Sequence, residues 1–304
     1  MTSSTMTALL HAAVTRDYPE LPIQGRDKVA VLQAVMDAHG WRPVLELGRE
    51  LRTLAAHPVI RAITAGATPC QTLERWKTLE RFGHSRHRTQ LLHHDPDGAR
   101  LTLRHEAIDG GRILSVNDLF VWGIVVALLE TAGFTGLVVT LTPAASPPVV
   151  IYGGAPAPGP EVLPDATDVV TLHWKDARPV SASTCDASRS DDLHELRARL
   201  QKLLTGDLLH PWTLEEAASR LAFSRRSLQR ALRQEGTTFS ELLQRSRVDA
   251  AHALLGDARL TLTDVAFCTG FSDHAHFTRT FRRYNDIPPS ALREIRLSSP
   301  GQSG

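Results

Sequence analysis

Two stretches of this chain nearly repeat one another. Residues 213–224 (TLEEAASRLAFS) and 261–272 (TLTDVAFCTGFS) stand at a constant offset of 48 residues, 261 less 213. Thr213 matches Thr261, Leu214 matches Leu262, and Glu216 matches Asp264. Ala218 matches Ala266, and Phe223-Ser224 matches Phe271-Ser272. In both copies a threonine precedes an acid by three residues, which predicts a capping-box-like helix start. The hydroxyl accepts from a free backbone N–H and the acid reaches back. Each short helix then ends at a turn closed by phenylalanine, and the serine that follows is placed to cap a second helix. The second helices differ by one residue in register. Leu228 and Leu232 form the inward stripe of the first, and Phe277, Phe281 and Tyr284 that of the second. Short helix, tight turn and amphipathic helix make a helix-turn-helix, and this chain has two.

Residues 238–256 (TFSELLQRSRVDAAHALLG) join them. Thr238 and Glu241 repeat the cap signature. Phe239, Leu242, Leu243, Ala250, Leu254 and Leu255 supply a buried stripe, and Gly256 is suited to end the helix. Such a helix is roughly 25 Å long. It spaces two recognition helices on the scale of one DNA turn, about 34 Å.

His274 and His276 raise the question of a metal. Residues two apart on a helix point about 200° apart, so the pair cannot share one ion; a metal helix places histidines three or four apart. The outward face carries Ala275, Arg279 and Arg282, with Thr278 at one side. For one helix a solvated charged face explains this equally well. The first copy breaks the tie, since Arg226, Gln229, Arg230 and Arg233 lie opposite Leu228 and Leu232. Arg225 and Arg226 also fall in the first turn, where positive charge opposes the macrodipole at a cost of about 0.3–1 kcal/mol. Arginine where folding prefers glutamate points to a ligand that wants arginine. Guanidinium grips guanine O6 and N7 together, and glutamine does the same for adenine. Arg245 and Arg247 on the joining helix are candidates for phosphate contact or for solvent. The formal net charge of +1 does not announce nucleic acid by itself; the distribution does.

Residues 270–293 (GFSDHAHFTRTFRRYNDIPPSALR) resemble the signature of AraC/XylS-type bacterial transcription regulators. Gly270, Phe271, Phe277, Arg279, Phe281 and Arg282 match its core, and Pro289, Leu292 and Arg293 its closing motif. Asp286 stands where that family commonly has glycine, Leu292 where it has an aromatic, and Ala275 where it often has a polar residue. The resemblance covers about 193–296 and implies seven helices. It puts Arg226, Gln229 and Arg230 at base-reading positions, and His274, Thr278 and Arg279 at groove- or phosphate-facing ones. Ser224, Arg225, Arg233, Ser272 and Arg282 complete the expected DNA-binding set.

The rest of the chain differs in character. Residues 177–192 are rich in Ser, Ala and Asp without apolar period and read as a linker. Residues 1–176 read as an α+β domain. Helices are expected over 27–39 and 44–56, with a break at Gly40 and Pro43, and over 68–82 and 116–131. A hairpin is expected around Asp97-Gly98, strands at 136–141 and 168–174, and a Pro/Gly-rich loop over 143–164. Residues 297–304 are expected to be a disordered tail.

This half resembles the effector domain of the ornithine-utilisation and virulence-regulator branch, by which it should bind a small molecule, self-associate as a homodimer, or both. No effector residue carries over. Double-stranded DNA is the expected partner, and RNA polymerase is an allowed one. No cofactor is expected.

Three cysteines, Cys70, Cys185 and Cys268, lie too far apart for a zinc site, a disulfide framework or an alkyl-acceptor module. With no signal-peptide pattern, and with the most apolar run (121–129) about half a bilayer span, a cytoplasmic protein is expected. No Gly-x-Ser-x-Gly elbow, Walker loop or dinucleotide fingerprint marks an enzyme. His84, His87, His93, His94 and His105 form a local concentration read as structural or surface rather than metal-binding. The rival readings are a constitutive DNA binder with a purely structural N-terminal domain, and an enzymatic or metal-binding module fused to a DNA-binding domain.

Overall fold

The computed structural model describes residues 3–66, 68–82, 86–95, 99–144, 147–154, 163–177 and 193–298. The chain divides into two compact units, Met1–Val180 and Ser181–Gly304. Of the expected linker, 178–192 lie outside the described residues, as do Cys185, His84, Asp97-Gly98 and the tail from 299 onward.

The first unit is α+β. It opens with α1 (Ser3–Asp17), α2 (Lys28–His39) and α3 (Trp41–Arg49), the last running on into a 3-10 turn at Glu50–Leu54. Next come α4 (Pro58–Thr64), α5 (Pro69–Phe82), β1 (His87–His94), β2 (Arg100–Ala107) and α6 (Ser115–Thr131). Strands β3 (Phe134–Thr135), β4 (Val138–Leu141), β5 (Val149–Tyr152), β6 (Val169–His173) and β7 (Asp176–Ala177) finish it. Five strands make an antiparallel sheet in the order β1-β2-β6-β4-β5; β3 and β7 form a separate short ladder.

The hairpin is present as expected, with Leu91 opposite Leu103. The Pro/Gly-rich stretch holds a strand where only a loop was expected: Val149–Tyr152 pairs with β4 at the sheet edge. An edge strand needs only one row of backbone partners, so flanking prolines are tolerated. Pro43 does not break a helix either. It lies in the first turn of α3, where its missing N–H has no intrahelical role. Helices α1 and α4 were not anticipated.

Helix α6 is the core of this unit. Fourteen of its residues, Val116 through Leu129, are buried, as expected for the apolar run it contains. It meets α3 at two glycines. A Cβ on Gly48 would come within 2.1 Å of the Phe120 carbonyl oxygen, and one on Gly123 within 2.0 Å of the Leu45 carbonyl oxygen. The backbones therefore touch, and only glycine fits. Among the described residues no helix is long and apolar enough to cross a membrane.

The second unit is all-α. Its elements are α7 (Leu193–Gly206), α8 (Leu214–Arg220), α9 (Arg225–Gln234), α10 (Phe239–Leu254), α11 (Leu262–Cys268), α12 (His274–Asn285) and α13 (Pro289–Ser298). Leu200, Leu204, Leu221, Leu228, Leu232 and Leu242 pack into one core. Phe271, Phe277 and Phe281 build another around α12, with ring centroids 5.2 and 5.6 Å apart along the series. Of the stripe expected on α10, Leu242 and Leu255 are fully buried. Gly256 follows the cap residue Leu255 as expected, though without a positive φ; Leu255 caps in the ordinary helical region.

The turns of the repeat share one left-handed position. Ala222 (φ 62) and Gly270 (φ 76) occupy the same left-handed position, again 48 apart. An L-residue there costs about 1–2 kcal/mol relative to the right-handed form, which glycine escapes at some cost in chain entropy, about 0.4–1 kcal/mol. Ala222→Gly should therefore raise stability by about 0.5–1 kcal/mol, since Ala222 is exposed and its methyl packs on little. A urea midpoint that falls instead would show that the methyl matters. The reverse exchange is closed, because a Cβ on Gly270 would lie 2.1 Å from the Leu208 carbonyl oxygen.

Candidate nucleic-acid interface

The caps set the orientation of the two outward helices. Ser224 caps α9, its hydroxyl accepting from the Ser227 N–H at 3.0 Å. Ser272 was expected to do the same for α12 and does not. Asp273 is the cap, accepting from the His276 N–H at 2.7 Å. The second turn holds one residue more than the first, and Ser272 is that residue; its hydroxyl pairs with Asp273 and His276. From the caps onward the offset is therefore 49, so that Leu228 matches Phe277 and Leu232 matches Phe281, all four buried. On the outward faces Gln229 then matches Thr278, Arg230 matches Arg279, and Arg233 matches Arg282.

The threonine–acid signatures behave differently in the two copies. Thr261 and Asp264 form a complete reciprocal box, as do Thr238 and Glu241. Thr213 accepts from the Glu216 N–H at 3.1 Å, but the Glu216 carboxylate turns to His210 at 2.8 Å and Arg220 at 3.1 Å. A nearby cation competes successfully for that carboxylate.

Arg226, Arg230, Arg233, Arg279 and Arg282 are exposed, and none has a hydrogen-bond or ion-pair partner among the described residues. Gln229 is half-buried on the same face. Arg225 differs, with Nη1 2.5 Å from Glu215 Oε1, an exposed pair that solvent weakens. His274 is exposed at the start of α12, its ring edge-on to Phe277 at 6.4 Å. Thr278 departs from expectation: its hydroxyl is inaccessible and unpaired, so the side chain does not offer that oxygen outward. Of the two arginines on α10, Arg245 faces solvent, 3.5 Å from Asp249 and over the Tyr284 ring at 6.0 Å. Arg247 does not reach the surface in that way. Burial pushes its guanidinium below the ordinary arginine value, and its Nε is unpaired inside. Position 286 keeps the left-handed turn without glycine, at φ 61. Among the described residues no group of three His, Cys, Asp or Glu side chains is arranged to hold a metal.

Asp273 links this helix start to pH. Its carboxyl is held below the usual carboxylate range, first by the His276 backbone N–H and then by the Ser272 hydroxyl. A depressed carboxylate stabilises the folded state above its unfolded pKa, and that stabilisation is lost as pH falls through the folded value. Asn caps as well as Asp. Asp273→Asn should therefore keep α12 and remove part of the acid sensitivity, whereas Asp273→Ala should loosen the helix at every pH. Acid titrations followed by circular dichroism compare them; identical acid limbs for Asp273→Asn and the parent would refute the assignment.

A helix-turn-helix family model matches residues 217–295. Over 99 residues the chain is 31% identical to the HTH-type transcriptional regulator GadX of Escherichia coli O6:H1, covering 33% of this chain and 36% of that protein. Over 81 residues it is 40% identical to the ornithine utilization regulator of Pseudomonas aeruginosa, covering 27% of this chain and 24% of that one. Among solved structures, a DNA-binding transcriptional dual regulator from Escherichia coli K-12 is 30% identical, covers 33% of this chain and 96% of that chain, and has a TM-score of 0.32. The chain thus spans about a third or less of the length of these two curated relatives.

Proposed function

We propose that this chain, whose residues 217–295 match a helix-turn-helix family model, is a sequence-specific DNA-binding transcription regulator of the AraC type. The observation that carries the reading is the doubled outward face. Arg226, Gln229, Arg230 and Arg233 on α9, and Arg279 and Arg282 on α12, lie opposite buried Leu228/Leu232 and Phe277/Phe281, with Arg230 and Arg233 equivalent to Arg279 and Arg282. Their guanidinium groups have no hydrogen-bond or ion-pair partner among the described residues. Side chains so placed read guanine edges and grip phosphates. Helix α10 has 16 residues and is roughly 24 Å long, a spacing suited to successive major grooves. On this reading the first unit senses a small molecule and brings two copies together, in the cytoplasm.

The test is binding of the full chain to fragments from upstream of its neighbouring genes and to random DNA, over a salt series. Specific fragments should bind at least about a thousandfold tighter than random sequence. Affinity should fall with a log–log salt slope of about −0.9 for each phosphate neutralised. Equal affinity for every fragment would overturn the reading.

A further inference from the structure

The first unit holds a cleft of about 410 Å³ between the end of β2, the turn leading into α6 and the segment before β6. Three polar side chains beside it are almost wholly buried: His105 is 1% exposed, and Asp118 and Thr167 are 2% exposed. Asp118 Oδ1 lies 2.7 Å from His105 Nδ1. The Thr167 hydroxyl donates to Asp118 Oδ2 at 2.6 Å, and the Trp122 indole N–H donates to the Thr167 carbonyl at 2.9 Å. The His105 ring is also edge-on to Trp122 at 6.0 Å and to His87 at 5.1 Å. Both carboxylate oxygens are thus in use and the imidazole cannot turn. A carboxylate only accepts, so in the neutral ring Nδ1 carries the hydrogen and Nε2 is an acceptor. Nε2 has no hydrogen-bond partner among the described residues.

Most charges lining the cleft are already answered. Glu106 accepts from the Gln90 amide, and Asp168 lies 3.6 Å from Arg104. Asp118 is occupied as above. Arg112 and Asp165 are the exceptions: both are exposed, both line the cleft, and neither has a hydrogen-bond or ion-pair partner among the described residues. Ile113 and Ala166 add apolar wall. The volume falls within the range of small-molecule sites, about 300–1,000 Å³. One unanswered cation, one unanswered anion and a fixed imidazole acceptor define a ligand with both charges and a donor.

We propose that this cleft binds a free amino acid, its carboxylate on Arg112 and its ammonium shared by Asp165 and His105 Nε2. The inference deepens the effector reading of the first unit and rests on it, but not on DNA binding. A planar guanidinium grips a carboxylate at two points. The Asp118–Thr167–Trp122 chain holds the imidazole in place, so His105 needs no reorganisation when the ligand arrives.

Isothermal titration calorimetry of the full chain tests this without DNA. The probes are the standard L-amino acids, with putrescine and succinate as ligands of a single charge sign. At least one amino acid should bind, and neither control should bind comparably. Arg112→Ala and Asp165→Ala alter exposed side chains and leave the core intact. Each should weaken that binding roughly tenfold to a hundredfold, the scale of a lost charged hydrogen bond. Failure of every amino acid to bind overturns the proposal. So does equal binding of either control, or affinity undiminished in both variants. Retained DNA binding by those variants would separate failure here from failure of the regulator reading.

Discussion

Gly123→Ala should unfold the first unit at a much lower urea concentration than the parent, with a loss of about 3 kcal/mol or more. Two effects oppose each other at this position. Alanine is the better helix former by about 0.8–1 kcal/mol, which favours the substitution in the middle of α6. Against that, the new methyl would lie 2.0 Å from the Leu45 carbonyl oxygen and 3.0 Å from Gly48 Cα. Both neighbours are backbone atoms of α3, which cannot step aside as a flexible side chain can. Relief requires the helices to separate, and that opens voids beneath Leu45, Leu47 and Ile124, all buried. The clash therefore exceeds the propensity gain. Gly206→Ala is the control. It stands at the end of α7 with nothing within 4 Å of its added Cβ, and it should be neutral or slightly stabilising. Tryptophan fluorescence reads the difference, since Trp41, Trp76, Trp122 and Trp174 report on the first unit and Trp212 on the second. An unchanged midpoint for Gly123→Ala would mean that α3 and α6 tolerate separation.

How much of this could be read from sequence depends on how local the cause is. The stripes at Leu228/Leu232 and Phe277/Phe281, and the hydroxyl caps at Thr213, Thr238 and Thr261, are fixed by neighbours within one or two helical turns, and the structure has them where the spacing puts them. The register shift was visible in the stripes too, but its source was not. Ser272 and Asp273 both make good caps, and only the path of the turn chooses between them. Arg247 shows the limit from the other side. Its charge suggested solvent or phosphate, yet a Cβ added to Gly270 would lie 3.2 Å from its Nε, a proximity across 23 residues that no helical period encodes. In the first unit α6 and the β1–β2 hairpin were legible from apolar pattern. Strand β5 was hidden among prolines and glycines, because its partner β4 rather than its own composition makes it a strand. The His105–Asp118–Thr167 chain joins a strand, a helix and a loop. His105 stood out only as one of several histidines, since nothing local distinguishes it from exposed His93 and His94.

Arg230→Ala and Arg279→Ala should each relax base preference at one operator position, and together they should abolish specific binding. The two side chains are equivalent once the extra residue of the second turn is counted, both exposed and both without a hydrogen-bond or ion-pair partner among the described residues. An arginine reading a base is worth about 1–3 kcal/mol of discrimination, roughly fivefold to 150-fold. The two lie on separate helices with no shared contact, so their effects should nearly add and cost roughly 2–6 kcal/mol in the double variant. Arg245→Ala is the contrast. That guanidinium sits 3.5 Å from Asp249 and over Tyr284 on the joining helix, where it meets at most a phosphate. Its loss should weaken all sequences alike and lower the salt slope by about one unit. Binding to the operator, to each single-base variant and to random DNA at several salt concentrations separates these outcomes. If Arg230→Ala lowers affinity equally for every sequence, Arg230 is a backbone contact. Base reading on the first recognition helix would then fall to Arg226 and Gln229. If the double variant still prefers its operator, specificity lies outside the outward faces of α9 and α12, and the doubled face is only an electrostatic grip.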